Sequence, residues 1–403
     1  MNVFYVYDGQ WPHNAIRAVK HLDSLTRAGH SVTLLSRGAV SADDDRAGGG
    51  LRIRRMPVTG HARVDRLLTY PVFLNPVWSR EILRGAKESC ADCIIVGDLP
   101  LAPSAVWVGG RLGIPVYYDM AEVYPIALHT MLPHEAGLAI RVARSTHAAE
   151  AVEHWVLRRV QSVFVVSEES RARCLSLGVP TERVVLVGNT PINAEELGRS
   201  DWPVPADIAD IAGRPLAIFI GNLFADRGVR YAIEAIGLVA QHDANATLLI
   251  IGDGRERARL EAQVAEQGLS ANVRFLGWKH HREHAAYLRQ SQVGLLPFLK
   301  TRHICITLAN KLFDYMAAGI PVLASDVPPM RRVIEETASG VLCPSADASA
   351  LAHELNRLFA DRALREALGA NGRAAIAEQY AWSNDARRFI DAIEGGHSMR
   401  AAV

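Results

Sequence analysis

"NKLFDYMAAGIPVLAS", residues 310–325, joins a run of helix formers to a short apolar run through Gly319 and Pro321. Thr307 offers an N-cap, Gly319 a left-handed stop, and Pro321 forbids continuation, so the spacing predicts a helix from near Thr307 to Gly319. "IPVLAS" is then the strand that follows. A helix delivered straight into an apolar strand is half of a β-α-β unit, and the neighbouring sequence repeats the pattern. Upstream come "PLAIFIGN", a helix from about Val229 to Ala240, "ATLLIIGDG", a helix from about Glu256 to Gln267, "NVRFLG" and "VGLLPF"; downstream comes "GVLCP". Such alternation builds a parallel sheet with helices on its faces.

The first half follows the same logic: "VFYVY", a helix from about Asn14 to Ala28, "HSVTLLS", "DCIIVGD", a helix from about Ala102 to Leu112, "IPVYYD", a long helix from about Glu135 to Arg159, "SVFVVS" and "VVLVGN". Residues 190–214 carry three prolines and no periodic apolar face, and read as an interdomain linker. The expected domains are therefore 1–190 and 191–383, with a terminal helix from about Asn384 placed to cross back to the first. In sheets of this kind ligands bind beyond the carboxyl ends of the strands.

Composition sets the class. With 49% hydrophobic and 22% charged residues in 403, the chain is an ordinary globular protein too long for one core. A net charge of +1, with no basic stripe, gives no footprint for nucleic acid. The odd set of Cys90, Cys93, Cys174, Cys305 and Cys343 has no second pair at zinc spacing and points to a reducing, cytoplasmic compartment. "MNVFYVYDG" reads as a first strand, not a signal peptide. "LLTYPVFLNPVW" (67–78) holds two prolines and is too short to span a bilayer. With Arg63 and Arg66 it suits either a core cap or peripheral contact with the inner membrane face.

On the 307–319 helix, Leu308, Leu312 and Met316 share one face, and Asn310, Lys311 and Asp314 share another. Free N–H groups near Ala309 and Asn310, with the Lys311 ammonium, suit a diphosphate at the helix start. Asp314, one turn along, can accept both hydroxyls of a ribose. The same spacing equally describes an exposed Lys311–Asp314 ion pair. "IFIGNLFADRGVRYAIEAI" (218–236) offers Gly221 for close backbone approach, Asn222, and Arg227 as a cation for a departing diphosphate or as a plain surface charge. Asp253 in "GDG" and Trp278 in "FLGW" end strands at the same edge, and Trp278 either flanks a nucleobase or packs. Neither a complete dinucleotide fingerprint nor a Walker A loop occurs.

Taken together, "IGNLFADRGVRYAIEA", "LLIIGDGRERARLE", "VRFLGW", "NKLFDYMAAGIPVLASD", "SGVLCP" and "YAWS" resemble glycosyltransferase family 4 over about residues 216–385. The first half does so more loosely through "RAGHSVTLLSR", "DLPLA", "PVYYDMAEVYP" and the segment 165–192. The resemblance implies the α/β GT-B fold, two doubly wound Rossmann-like domains facing across a cleft. It also implies a retaining transfer from a nucleotide diphosphate sugar, in surface polysaccharide or glycoconjugate synthesis. By that resemblance Arg227 takes the phosphate-binding basic position, Asn222 replaces an arginine, and Asp314 takes the place of the ribose-binding glutamate. Ile306 stands where a carboxylate usually meets the donor sugar, and Ala121 where a histidine is usual, leaving Glu122 and His129 as local substitutes.

The expected catalytic groups are Arg227, Lys311 and Glu122. The donor site comprises Gly221, Asn222, Asp253, Trp278, Ala309, Asn310 and Asp314, and the acceptor side Asp8, Gly9, Gln10 and His129. His134 is equally a surface residue. No cofactor or metal is expected, because basic residues cover that role. The expected partners are a nucleotide sugar and a saccharide, lipid-linked or small-molecule acceptor. A nucleotide-sugar 2-epimerase of the same architecture and a non-catalytic binding protein are the rival readings.

Overall fold

The computed structural model describes residues 1–10, 16–38, 50–57, 61, 73–131, 145–199 and 201–401. It divides into two compact units, one formed by 1–188 with 383–403 and the other by 189–382.

In the first unit, β1 (Asn2–Gln10), β2 (Ser31–Arg37), β3 (Leu51–Arg55), β4 (Cys93–Gly97), β5 (Val116–Met120), β6 (Ser162–Val165) and β7 (Val184–Leu186) form one parallel sheet. Its order is β3-β2-β1-β4-β5-β6-β7, so the order in which strands are added reverses between β1 and β4. The central strands are buried on both faces, which is why they read as unbroken apolar runs instead of alternating ones. The Trp382–Ala401 helix closes this unit from its far end. The Tyr117 hydroxyl donates to the Ile393 carbonyl at 3.1 Å, and the Gly188 N–H donates to Asp385 at 2.8 Å. Phe389 is fully buried, with the His21 ring stacked on it at 4.2 Å.

His21 is held neutral there. Burial pushes its pKa down to about 3, while a free histidine titrates near 6.5. The unfolded chain therefore binds the extra proton between those values, so stability rises with pH through that window and is lost as pH falls. Between pH 7.5 and 4.5 the first unit should lose on the order of 2 kcal/mol through His21 alone. Thermal unfolding of wild type and His21→Phe at both pH values checks this: the variant should show the smaller acid loss, and equal losses would contradict it.

In the second unit, β8 (Leu216–Ile220), β9 (Thr247–Ile251), β10 (Val273–Gly277), β11 (Val293–Leu296), β12 (Val322–Ser325) and β13 (Gly340–Cys343) form a parallel sheet ordered β10-β9-β8-β11-β12-β13. The order in which strands are added reverses between β8 and β11, and that is the point of such a sheet where ligands bind.

Several expectations need correction. The segment 190–214 is no free linker: Leu197, Ile208 and Ile211 are buried in the second core, and the Trp202 indole donates to the Glu196 carbonyl. The donor-side helix starts at Asn310, not Thr307, because residues 301–306 turn on themselves and Ala309 is still extended at φ −72, ψ 126. Its end is as expected, with Gly319 at φ +73 and the Gly319 and Ile320 N–H groups returning to Met316 and Tyr315. The end of "LLTYPVFLNPVW" enters a Pro76–Glu88 helix capped by the Asn75 side chain, with Trp78 fully buried. Arg63, Arg66 and residues 67–72 lie outside the described residues. All five cysteines are free, and Cys93 is a buried strand residue.

Candidate functional site

The carboxyl edge of the second sheet is built by loops that interlock through glycine. Gly252, at φ +137, lies so close to Gly221 that a Cβ would sit 1.9 Å from the Gly221 carbonyl oxygen. A Cβ on Gly254 would meet the Leu223 oxygen at 2.4 Å. The Leu223 N–H donates to the Asp253 carbonyl at 2.9 Å, which binds the two loops together. The strict need for glycine therefore falls at 252 and 254. At Gly221 a Cβ would only press the Phe219 ring at 3.3 Å. Asn222 is exposed, and the Asp253 carboxylate pairs with Arg257 at 3.2 Å.

Arg227 follows β8 in a turn clamped beneath the exit of β11. Gly228, at φ +65, would place a Cβ 1.9 Å from the Pro297 oxygen, and the Leu299 N–H donates to the Asp226 carbonyl. The Arg227 guanidinium lies over the Phe298 ring at 4.8 Å, with its Nε 3.8 Å from Asp226. Asp226 is buried and also meets His303 Nδ1 at 3.4 Å. Burial pushes the Asp226 carboxyl up, but His303 and Arg227 more than offset it and hold it below the usual carboxylate value. The arrangement ties the arginine to the 301–306 segment that leads into the Asn310 helix. Ile306 lies in that segment and is half-buried.

On the helix itself, Leu312, Phe313 and Met316 are buried, each worth about 1.5–3 kcal/mol. Tyr315, also buried, accepts the Ile220 N–H at 3.0 Å and so fixes the helix to β8. Ala309 at the cap has no side chain to accept from the first turn, leaving the N–H groups of Asn310 and Lys311 at an open helix start, and Asn310 is exposed. Lys311 Nζ lies 2.7 Å from Asp314 Oδ2 and 3.3 Å from Nδ1 of the buried His284. Burial and then the Lys311 charge push the His284 pKa down to about 3. Trp278, 64% exposed just after β10, presents its indole to solvent with the His280 ring edge-on at 6.1 Å.

At the carboxyl edge of the first sheet the side chains are acidic. Asp98, immediately after β4, is held in a left-handed conformation at φ +65. Burial, then the charges of Asp8, Glu122 and Asp119, push its carboxyl well above the usual range. Burial also raises Asp8, against the pull of Arg37, which donates to the Asp8 carbonyl. A Cβ on Gly9 would sit 2.5 Å from the Tyr7 ring. Glu122 follows β5 and is half-buried. The side chains of Gln10 and His129, and the whole of His134, lie outside the described residues. Asp119 is engaged by Arg17, which donates to it at 2.6 Å and also to the carbonyls of Val187 and Gly188.

Residues 17–190 match the family model for the glycosyl transferase 4-like domain, and residues 205–375 the model for glycosyl transferases group 1. The fold is similar over the full length of both chains to sucrose-phosphate synthase from Thermosynechococcus elongatus, with a TM-score of 0.76 at 20% identity. The chain belongs to the GT-B glycosyltransferases.

This glycosyltransferase is also similar to Anabaena HepE, solved in complex with UDP and glucose: TM-score 0.74 and 15% identity, over 98% of this chain and 100% of that one. Among curated relatives, 2-deoxystreptamine glucosyltransferase from Streptomyces kanamyceticus is 25% identical over 344 residues, covering 82% of this chain and 84% of that protein. The enzyme transfers a glycosyl group from a nucleotide sugar. Among the described residues, no helix is long and apolar enough to cross a membrane.

Sequence reasoning missed Asp226, His303, His284 and Asp98. "DLPLA" and "FADRG" were in view, but each of these side chains matters through a partner distant in sequence, such as the 77 residues separating Asp226 from His303.

Proposed function

We propose that the second unit binds a nucleoside diphosphate sugar along the carboxyl edge of its sheet. In this reading Arg227, Lys311 and the N–H groups of Asn310 and Lys311 hold the diphosphate, and Asp314 holds the ribose. Trp278 covers the base, while Gly221, Asn222 and Asp253 line the floor. The observation that carries the reading is the open helix start carrying Lys311 and Asp314 at the β8–β11 switch point.

The chemistry follows from those groups. As the bond from the anomeric carbon to the β-phosphate oxygen breaks, negative charge develops on the diphosphate, and two cations with helix N–H groups stabilise it. The acceptor hydroxyl forms the new bond on the same face and gives its proton to a donor phosphate oxygen. Configuration is then retained without a protein nucleophile or a cofactor. On the first unit, Asp8, Gly9 and Glu122, joined by Asp98, receive the acceptor. Carboxylates suit a polyhydroxylated ligand, and Asp98 can keep a proton to donate. A saccharide or polyol hydroxyl is the acceptor in this account, in glycoconjugate or surface polysaccharide assembly.

Trp278 gives the test. Stacking of a base on an exposed indole is worth ~1–3 kcal/mol, so Trp278→Ala should weaken nucleoside diphosphate binding about five- to a hundredfold while Trp278→Phe restores most of it. Because the side chain is 64% exposed, folding should be untouched. Equal affinity of Trp278→Ala and wild type in calorimetric titration would remove the indole from the site.

A further inference from the structure

We propose that His284 is a positioning residue of the donor site, which keeps hold of the Lys311 ammonium when Asp314 gives it up to the ribose. The inference rests on the donor reading above. In the free protein Lys311 Nζ is shared between Asp314 Oδ2 at 2.7 Å and His284 Nδ1 at 3.3 Å. Ribose hydroxyls arriving at Asp314 share its oxygens with the ammonium, so nucleotide binding weakens the Lys311–Asp314 pair. A lysine released from that pair swings on a flexible stem, unless a second partner holds it where the phosphates arrive.

His284 fits that task in three respects. It is 7% exposed, at the start of the His284–Gln290 helix, so its ring is fixed by packing. It also has a hydrogen bond to the Lys279 backbone, a second tie that fixes the orientation of the ring. The ring stays neutral beside Lys311, Asp314 and His281, so it accepts from the ammonium without repelling it. The strut itself is anchored, since Lys279 bonds Asp207 at 2.8 Å and lies over the Tyr287 ring. Trp278 is the residue before Lys279, so one short segment carries both the base platform and the support for the phosphate-binding lysine.

A buried histidine that merely fills space would tolerate an apolar replacement, whereas a positioning acceptor would not. Wild type, His284→Leu and His284→Gln should be titrated calorimetrically with UDP, GDP, ADP and TDP, and their unfolding temperatures compared. For the diphosphate that binds wild type, His284→Leu should bind about tenfold more weakly, the worth of one charge-assisted hydrogen bond. His284→Gln, whose amide oxygen accepts a bond as Nδ1 does, should come within about threefold of wild type. Wild-type affinity in His284→Leu would overturn the inference. So would equal weakening in both variants alongside equal loss of unfolding temperature. If wild type binds none of the four, the donor reading itself falls and takes this inference with it.

Discussion

Arg227→Ala should lower affinity for the cognate nucleoside diphosphate by ten- to a hundredfold and leave affinity for the bare nucleoside unchanged. The size follows from losing a charged donor to an anionic ligand, at about 1.5–3 kcal/mol. The selectivity follows from where the guanidinium sits: over Phe298 and beside Asp226, in a turn locked under the β11 exit. Arg227→Lys keeps the charge but not the planar fork, and should fall between the two. Parallel titrations with diphosphate and nucleoside read this directly. If both ligands weaken together, Arg227 supports the fold of the loop instead of touching phosphate.

Gly228→Ala should be among the most damaging single substitutions in the second unit, although it adds one methyl group. Its φ of +65 strains any side chain, at about 1–2 kcal/mol. A Cβ would also lie 1.9 Å from the Pro297 oxygen, so backbone must move. Gly268 is the internal control: its φ is +68, yet a Cβ there meets nothing within 4 Å. Gly268→Ala should cost the strain alone, about 1–2 kcal/mol, and Gly228→Ala roughly 3 kcal/mol or more. Chemical denaturation of the two variants checks the ranking, and equal stabilities would mean that the 225–228 turn relaxes freely away from β11.

Elements that bury both faces were the most legible from sequence. "CIIVG", "LAIFI" and "TLLII" are apolar throughout because parallel strands covered by helices leave no polar side. The helices Ala102–Leu112 and Val229–Ala240 stand where their periodicity put them. The strand β3 escaped notice because "LRIRR" is an edge strand whose arginines leave only two apolar residues. The 190–214 segment was misread for a related reason: three scattered apolar side chains anchor it to the second core without any period. Thr307 looked like a helix cap because local chemistry allows it, while turns fixed by His303 and Thr301 postpone the helix to Asn310.

The candidate site was legible where chemistry and spacing coincide on one element, as with Lys311 and Asp314. It was illegible where a residue acts through tertiary contact. His284 lies 27 positions from Lys311, and nothing in "HHREH" distinguishes the one buried histidine from its exposed neighbours. The same holds for Asp226, whose role comes from burial against His303 and Arg227.

The most direct test of the central claim is calorimetric titration of wild type and Asp314→Ala with UDP, GDP, ADP and TDP. The account predicts that wild type binds one of them and that the substitution weakens it by about tenfold or more, since the ribose loses hydrogen bonds to a charged acceptor. Undiminished affinity in Asp314→Ala, or no binding of any diphosphate to wild type, would contradict it and return residues 310–314 to a charged helix face.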